Sequence, residues 1–438
     1  MDLLQFITKA TSIPFIYTYP TTRAYEVVRN FDISQIQYSE HINLYFHIPF
    51  CGQKCSFCGY LTTVLNKEEE YETYVDALIQ EIKNATHLHG RHISTINFGG
   101  GTPMMLSEQQ LIKIMEQINI SFPNFLSTAT EISIEATPES ICAEKTAILK
   151  SLGFNRISIG IQTLNAAEIK NIKRHNFSEQ TQNAIEIVKS SGIKNLCCDL
   201  MYGLPGQDLE SWEQTVLGLL EYRPQTIELY RTVHIPGTGF SKKTSYQLSN
   251  EEKYEAYEFA REKLVLSGYE QDSHLRFILP GEGFYQQQVN VFKGESLCGF
   301  GVGARTYANN VHYRNSYDSS KHRSAIQRYI ALQKDSKSTI ESAIFLNQEE
   351  RLVRYIIYNL ESLDIKMIKQ IFDIDITMEY KQIWKTLETL SLITISNESI
   401  NLKYQAAYYR DAIAYSFFSE TVKNKEALYY NGLNGIGI

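Results

Sequence analysis

The sequence predicts an α/β fold in which six parallel strands and the helices between them form a partial (β/α)6 barrel. Short apolar runs recur along the first half of the chain, and segments with 3.6-residue apolar spacing separate them. This alternation is typical of a parallel sheet with crossover helices. Glycines and polar residues follow the ends of several runs. Ligand sites of such sheets lie at that edge.

The six predicted strands are short and largely apolar, as expected for strands that are covered on both faces. They are Asn43–Ile48, Thr95–Phe98, Glu131–Glu135, Arg156–Ile161, Leu196–Tyr202 and Thr226–Val233. In the first predicted helix, over residues 67–85, the apolar side chains of Tyr71, Val75 and Ile82 lie on one face. Further helices are predicted over residues 107–118, 138–152, 165–172, 178–191 and 208–222.

The character of the chain changes towards its end. Leu352–Leu363 and Tyr380–Leu392 have the spacing of amphipathic helices, and residues 392–402 have the pattern of a small hairpin. This order predicts a mainly helical C-terminal domain that resembles a winged helix. We therefore expect four segments, namely an N-terminal strap (1–42), the partial barrel (43–240), a barrel extension (241–340) and a C-terminal accessory domain (341–438).

The strap contains an aromatic stretch over residues 17–25, with Arg23 within it. Two interpretations stay open. The stretch packs on the surface of the protein, or it covers the substrate, since aromatic rings stack on flat molecules and an arginine pairs with a carboxylate.

Charge and hydropathy exclude two classes of partner. The net charge is −7 without a dense run of Lys and Arg, which argues against a nucleic-acid partner. Residues 340–438 also carry more acidic than basic side chains, so the predicted winged helix is not expected to bind DNA. No apolar run approaches the roughly 18 residues that a membrane span needs, and no cationic leader starts the chain. We expect a cytoplasmic protein.

Three of the seven cysteines form a tight motif, Cys51-Gly-Gln-Lys-Cys55-Ser-Phe-Cys58, directly after the first predicted strand. Three thiolates in one loop can hold three irons of a [4Fe–4S] cubane and leave the fourth iron open to a ligand. A structural zinc site is the alternative, but it needs a fourth thiolate or imidazole, and His47 lies on the strand at poor spacing. The motif predicts Cys51, Cys55 and Cys58 as metal ligands.

Polar and glycine residues continue along the same edge of the sheet. Gly99-Gly-Gly-Thr-Pro103 ends the second strand, where glycines let a ligand approach the backbone, although such a segment is also a common turn. Glu135, Gln162 and Asp199 belong to the next three strands, and Arg174 lies on a predicted helix. Each has a structural explanation as a strand-end or surface residue. Their recurrence around one rim favours a polar ligand.

Together these motifs resemble the radical S-adenosylmethionine (SAM) family of the oxygen-independent coproporphyrinogen III oxidases and their paralogues, including methyltransferase-type enzymes. The resemblance runs from about Tyr17 to Glu420. Its matching stretches are Tyr45–Cys51, Gly99–Pro103, Ile134–Glu135, Ser158–Gln162, Asp199–Pro205, His234–Pro236 and Gly299–Ala304. The resemblance implies a radical-SAM partial barrel with a helical accessory domain.

The resemblance also implies cofactors and their sites. A first SAM site would comprise Tyr45, Phe57, Gly100 and Glu135. A second SAM site would comprise Gly101, Thr102, Gln162, Arg174, Asp199, Val233 and Arg305. The reduced cluster would cleave SAM to methionine and a 5′-deoxyadenosyl radical, with an electron from a donor such as flavodoxin or ferredoxin.

Two departures from the family's pattern bear on the reaction. Gly59-Tyr60 stands where the oxidases carry a further cysteine, and Gln288–Lys293 lacks the HNxxYW motif of the haem-chaperone paralogues. The sequence therefore predicts an enzyme that uses two SAM molecules to transfer a methyl group to an unactivated carbon, for example of a tetrapyrrole. The alternatives are oxidative decarboxylation of coproporphyrinogen III and non-catalytic haem binding or delivery.

Overall fold

The computed structural model describes residues 16–65, 67–174, 178–233, 238–242, 247–318 and 320–434. The stretch His234–Pro236, which contributes to the resemblance, lies outside these residues. The described chain divides into two compact units, one over residues 27–343 and one that joins the residues before Val27 to those from Ile344 onward. The finer division into four segments remains a prediction.

The strands are β1 (Glu26–Val27), β2 (His41–Ile48), β3 (His92–Gly100), β4 (Glu131–Ala136), β5 (Arg156–Gln162), β6 (Asn195–Tyr202), β7 (Thr226–Arg231), β8 (Glu270–Gln271), β9 (Arg276–Ile278), β10 (Ser296–Phe300), β11 (Arg305–Tyr307), β12 (Val311–Asn315), β13 (Ile340–Phe345), β14 (Ser362–Asp364), β15 (Ile393–Ile395) and β16 (Ser399–Leu402).

The α-helices are α1 (Glu68–Asn84), α2 (Glu108–Ser121), α3 (Phe125–Thr128), α4 (Ala143–Ser151), α5 (Ala166–Asn171), α6 (Ser178–Ser190), α7 (Leu209–Tyr222), α8 (Asn250–Leu266), α9 (Gln286–Phe292), α10 (His322–Lys334), α11 (Gln348–Tyr358), α12 (Ile365–Phe372), α13 (Ile376–Glu379), α14 (Lys381–Thr389), α15 (Arg410–Ser416) and α16 (Glu420–Asn434). None of the helices in these described ranges has both the length and the apolar character that crossing a bilayer takes.

The predicted parallel sheet forms the first unit. Strands β2 to β7 lie side by side in chain order, and each pairs in parallel with the next. The structure adds β10 as a further parallel strand on the outer side of β2. Strands β11 and β12 continue beyond β10 as antiparallel neighbours, and β9 pairs antiparallel with β7. The α/β prediction is confirmed, and the segment after residue 240 contributes to the same sheet.

The two faces of this sheet differ in chemistry because side chains alternate along each strand. On one face Phe46 stacks between Phe98 and Phe300, with ring centroids 5.0 and 5.1 Å away. On the other face the polar side chains of β3 and β4 bond to each other. Asn97 Nδ2 donates to Ser133 Oγ at 2.8 Å. This polar face carries the residues of the candidate site.

Several predicted element ends are wrong. Strand β7 ends at Arg231, so Val233 lies in the loop beyond it. The helix predicted over 138–152 is interrupted, because Thr137 and Ser140 cap a short 3₁₀ turn and Cys142 is extended before α4 begins. The helix predicted to reach Leu363 ends at Tyr358, since the following residues form β14. In the two helical cases a capping contact or a following strand overrides the local periodicity.

The second unit contains α11 to α16 and a small antiparallel sheet in the order β14, β16, β15. The predicted hairpin over 392–402 is present as β15 and β16, with Ile393 opposite Leu402. Tyr19, from the aromatic stretch near the N-terminus, is fully buried in this unit. Its hydroxyl donates to the Glu350 carboxylate and accepts from the Ser419 amide at 3.2 Å. Tyr19 is therefore a core residue.

Candidate active site

The three clustered cysteines lie in one loop that backbone hydrogen bonds close at its base. The loop leaves β2, and the Cys51 amide donates to the Thr63 carbonyl at 3.0 Å while the Thr63 amide donates to the Pro49 carbonyl at 2.7 Å. All three are free thiols with partial exposure. Burial raises the pKa of Cys51 to about 12. Metal binding must displace that proton, as thiolates are the ligands.

The glycine-rich end of β3 lies directly against this loop. The Gly101 amide donates to the Ile48 carbonyl at 2.8 Å, and the Thr102 amide donates to the Phe50 carbonyl at 2.7 Å. A Cβ atom at Gly101 would stand 2.5 Å from the Phe50 carbonyl oxygen and 3.0 Å from Cys51 Sγ. The tight turn therefore requires glycine here, and it holds the first cysteine in place.

Tyr45, Gly100 and Glu135 converge beside the loop. The Gly100 amide donates to Glu135 Oε2 at 3.0 Å, and Gly100 adopts a positive φ of 111°. Burial raises the pKa of Glu135 to about 7. Tyr45 and Glu135 keep partial exposure although they lie on interior strands. The barrel is consequently open at this point, where a ligand can reach both side chains.

His47 fixes the hydroxyl of Tyr45 and the end of the cysteine loop. Its Nε2 lies 3.0 Å from the Leu61 carbonyl oxygen, which can only accept, so Nε2 carries the hydrogen. Nδ1 then accepts from the Tyr45 hydroxyl at 3.1 Å. Burial, together with the charge of Arg305, lowers the pKa of His47 to about 4. The imidazole is therefore neutral, as this tautomer requires.

Gln162 and Arg174 meet at Gly160 near the end of β5. Gln162 has a positive φ of 71° at an irregularity in the pairing with β6. A Cβ atom at Gly160 would lie 2.8 Å from Gln162 Nε2 and 3.3 Å from Arg174 Nη2. Arg174 donates through Nη1 to the Gly160 carbonyl and through Nε to Cys55 Sγ at 3.3 Å. The two residues stand next to the cysteine loop.

Asp199 lies deeper in the barrel than the strand ends. It accepts from Ser158 Oγ at 3.1 Å and stands opposite Glu228 in the pairing of β6 with β7. Burial, together with the neighbouring charge of Glu228, raises the pKa of Asp199 to about 7. Asp199 is partly exposed, so it too faces accessible space.

The predictions missed a buried ionic group on the strands beside Asp199. Glu228 Oε1 lies 3.5 Å from Arg156 and 3.9 Å from Arg276, and the ring of Tyr285 stacks 4.3 Å from the Arg156 guanidinium. Part of the signal was present in the sequence, because Arg156, Ser158 and Gln162 alternate with isoleucines along β5. The strands were predicted from their apolar content, which does not reveal this alternation.

The remaining predicted site residues are more dispersed. Phe57 packs with Phe240 in an apolar cluster that also contains Ile172 and Leu204. Val233 is a partly exposed loop residue. Arg305 begins β11, and its charge acts on Tyr45 and His47. The structure therefore places Arg305 near the Tyr45 side of the site.

The cysteine loop fits an iron–sulfur cubane. Its three free thiols share one closed loop, a glycine turn lies against Cys51, and Arg174 donates to Cys55. Within the described ranges, no three His, Cys, Asp or Glu side chains stand close enough together to bind a single ion. A cubane makes a different demand, because each cysteine binds a separate iron.

Comparisons with known proteins identify the family of this chain. The profile of the radical SAM superfamily matches residues 45–217. The haem chaperone HemW of Lactococcus lactis is 31% identical over 62% of this chain and 71% of its own length. The chain belongs to the radical SAM superfamily. As a radical SAM enzyme it uses a [4Fe–4S] cluster and SAM as cofactors.

Two further relatives cover most of this radical SAM enzyme. The oxygen-independent coproporphyrinogen III oxidase of Pseudomonas aeruginosa is 24% identical over 82% of both chains. The solved coproporphyrinogen III oxidase HemN of Escherichia coli superposes with a TM-score of 0.79 at 24% identity, over 91% of this chain and 96% of its own. This likeness confirms the predicted radical-SAM fold with its helical C-terminal region.

Replacing Glu135 with glutamine should change how stability depends on pH. Burial raises the pKa of Glu135 from 4.5 to about 7, so in that range the folded chain holds a proton that the unfolded chain has released. The free energy of unfolding should therefore fall as the pH rises through this window, by about 3 kcal/mol. Glu135→Gln should remove that part of the slope. Thermal unfolding of the cluster-loaded protein without SAM measures it.

The matched control is Glu139→Gln, four residues further on, whose side chain is exposed. It should leave the pH dependence unchanged. An identical slope in wild type and Glu135→Gln would show that Glu135 keeps its ordinary pKa in the folded state.

Proposed function

We propose that this radical SAM enzyme acts on a tetrapyrrole of the coproporphyrinogen type and oxidatively decarboxylates its propionate side chains. The relatives described above support the proposal, since one of them is named an oxygen-independent coproporphyrinogen III oxidase and aligns over 82% of this chain. Methyl transfer, the reaction expected from the sequence, has less support from these relatives. The substrate class follows from the same comparison.

The geometric support is the convergence of Tyr45, Gly100 and Glu135 beside the cysteine loop. Following the resemblance, we assign these three residues and Phe57 to the first SAM. The Glu135 carboxylate would accept from the amino group of SAM, and its partial burial strengthens that ion pair. The second SAM site is assigned to Gly101, Thr102, Gln162, Arg174, Asp199, Val233 and Arg305.

When bound, the reduced cluster supplies the electron that cleaves SAM to methionine and a 5′-deoxyadenosyl radical. The chain's own residues hold SAM and keep water from the radical. Converting a propionate to a vinyl group releases carbon dioxide and removes one hydrogen atom and one electron. The hydrogen atom leaves in 5′-deoxyadenosine. Because each 5′-deoxyadenosyl radical takes up one hydrogen atom, each propionate consumes one SAM. The remaining electron passes to an external electron acceptor.

Methyl transfer remains the second candidate because of one observation at the cluster. Tyr60, which stands where the oxidases carry a further cysteine, is 52% exposed beside the last ligand Cys58. This chain therefore has no thiol where the oxidases have one. That difference counts against decarboxylation and keeps methyl transfer as the second candidate.

The deciding experiment is anaerobic turnover of the reconstituted enzyme with SAM, a reductant and either coproporphyrinogen III or haem. We expect 5′-deoxyadenosine and a tetrapyrrole that has lost two carboxyl groups, both detected by mass spectrometry. A methyl gain with S-adenosylhomocysteine would replace the proposal with the second candidate. Tight haem binding without SAM cleavage would overturn both and favour a haem-delivery role. Omitting the reductant is the control, since it should stop all products.

A further inference from the structure

Arg174 makes a contact that SAM binding does not explain. Its side chain is 7% exposed, and Nε donates to Cys55 Sγ at 3.3 Å. Its Nη1 donates to the Gly160 carbonyl. One guanidinium thus joins the middle cysteine of the cluster loop to the end of β5. Arg174 and Cys55 lie 119 residues apart in the sequence, so their contact depends on the fold.

The backbone holds Arg174 against the loop. The Ser56 amide, next to Cys55, donates to the Ile172 carbonyl at 3.0 Å. The Arg174 amide donates to the Ile169 carbonyl at 2.9 Å and fixes the turn that follows α5. The guanidinium therefore approaches Cys55 from a short, doubly anchored segment. Such anchoring keeps the Arg174 guanidinium beside Cys55 Sγ when the charge on that sulfur changes.

We propose that Arg174 is a hydrogen-bond donor to the Cys55 thiolate of the [4Fe–4S] cluster and raises the cluster's reduction potential. The role is separate from the second-SAM site to which the resemblance assigns the residue. This role of Arg174 does not depend on the substrate, so its test is independent of the proposed decarboxylation.

Three physical arguments support this role. Hydrogen bonds to the sulfurs and the local charge are the terms by which a protein sets the potential of an iron–sulfur cluster. A guanidinium stays protonated in a buried site, so its charge is constant across the working pH. Reduction adds a negative charge to the cluster, and a positive donor at low local dielectric stabilises the reduced form more than the oxidised form.

The contact has a functional consequence. The enzyme must accept an electron from a donor before it can cleave SAM. A lower potential would make that electron transfer less favourable, and every 59 mV of a one-electron couple changes the equilibrium tenfold. Arg174 would thus favour reduction by the physiological donor.

The experiment compares wild type, Arg174→Gln and Arg174→Lys, each reconstituted anaerobically and measured without SAM. Potentiometric titration followed by electron paramagnetic resonance gives the cluster midpoint. We expect a more negative midpoint in Arg174→Gln and a smaller shift in Arg174→Lys, which keeps the charge but not the planar donor. An unchanged midpoint in an Arg174→Gln protein with full iron content would overturn the proposal.

The matched control is Lys170→Gln, on α5 four residues earlier, where the side chain is exposed. It removes the same charge without touching the loop, and its midpoint should equal that of wild type. An equal shift in Lys170→Gln and Arg174→Gln would overturn the proposal in favour of a general charge effect.

A second measurement uses wild type alone and does not depend on a variant retaining its cluster. Electron–nuclear double resonance of the reduced cluster, in water and in deuterated water, should detect an exchangeable proton coupled to it, since Arg174 Nε–H points at Cys55 Sγ. Arg174→Lys should alter that coupling. Absence of any exchangeable coupling in wild type would contradict the proposed hydrogen bond.

Discussion

Replacing Cys51, Cys55 or Cys58 with alanine should abolish both the iron–sulfur cluster and the cleavage of SAM. Each thiolate is expected to bind a separate iron, so one substitution exposes an iron to solvent and leaves the cubane held by two ligands. We expect iron and sulfide to fall from about four of each per chain in wild type to background levels. The 5′-deoxyadenosine yield in an anaerobic reaction should fall to that of a reaction without enzyme.

Cys142→Ala is the matched control for these variants. Cys142 is an exposed free thiol that precedes α4 and lies outside the cluster loop. The variant should keep its iron, its sulfide and its SAM cleavage. A cluster-loop variant with full iron content and normal cleavage would contradict the assignment, and so would zinc in place of iron in anaerobically purified wild type.

The sequence was sufficient to predict the strands that carry this site, because each strand is a short apolar run that is followed by the spacing of a helix. It was insufficient for β10, whose run Ser296–Phe300 is short and contains a glycine. That strand pairs with β2, so Gly299 lies beside Tyr45. Pairing between residues some 250 positions apart is a tertiary property that local patterns do not encode.

Site residues that belong to a contiguous sequence motif could be predicted, whereas contacts between distant residues could not. The cysteine loop and the glycine turn are contiguous motifs, and both lie where the strand order predicts. The contact between Arg174 and Cys55 has no local signal, since Arg174 follows a short helix and resembles a surface residue in sequence. Glu228 is visible in the sequence as a charged residue within a predicted strand, but its position opposite Asp199 follows only from the pairing of β6 with β7.

The segment that lacks the haem-chaperone motif has a structural role here. It forms α9, which packs amide side chains against the barrel strands. Gln287 Nε2 donates to the Leu44 carbonyl at 3.0 Å, and Asn290 Nδ2 donates to Asn43 Oδ1 at 3.2 Å. Both amides are buried and hydrogen-bonded, which stabilises the polar interior that strand alternation creates. Although this segment lacks the HNxxYW motif, it packs against the barrel as α9.

Gly101→Ala should disrupt the cluster site as strongly as the loss of a cysteine, although it removes no ligand. The added Cβ would lie 2.5 Å from the Phe50 carbonyl oxygen and 2.9 Å from that of Ile48. Both are backbone atoms that accept hydrogen bonds from the turn itself, so relief requires the cysteine loop to move. We expect a loss of about 3 kcal/mol in the free energy of unfolding and a large fall in iron content.

Gly52→Ala tests whether this effect belongs to the site or to any glycine of the loop. Gly52 is exposed next to Cys51, and a Cβ there would lie no closer than 3.8 Å to its nearest neighbour, Met105 Sδ. The variant should therefore assemble its cluster and unfold like wild type. Iron analysis and thermal unfolding of both variants under anaerobic conditions provide the comparison. Normal iron content in Gly101→Ala would mean that the loop can shift without losing its ligand geometry, and equal damage in both variants would mean that the whole loop, rather than the contact at Gly101, resists substitution.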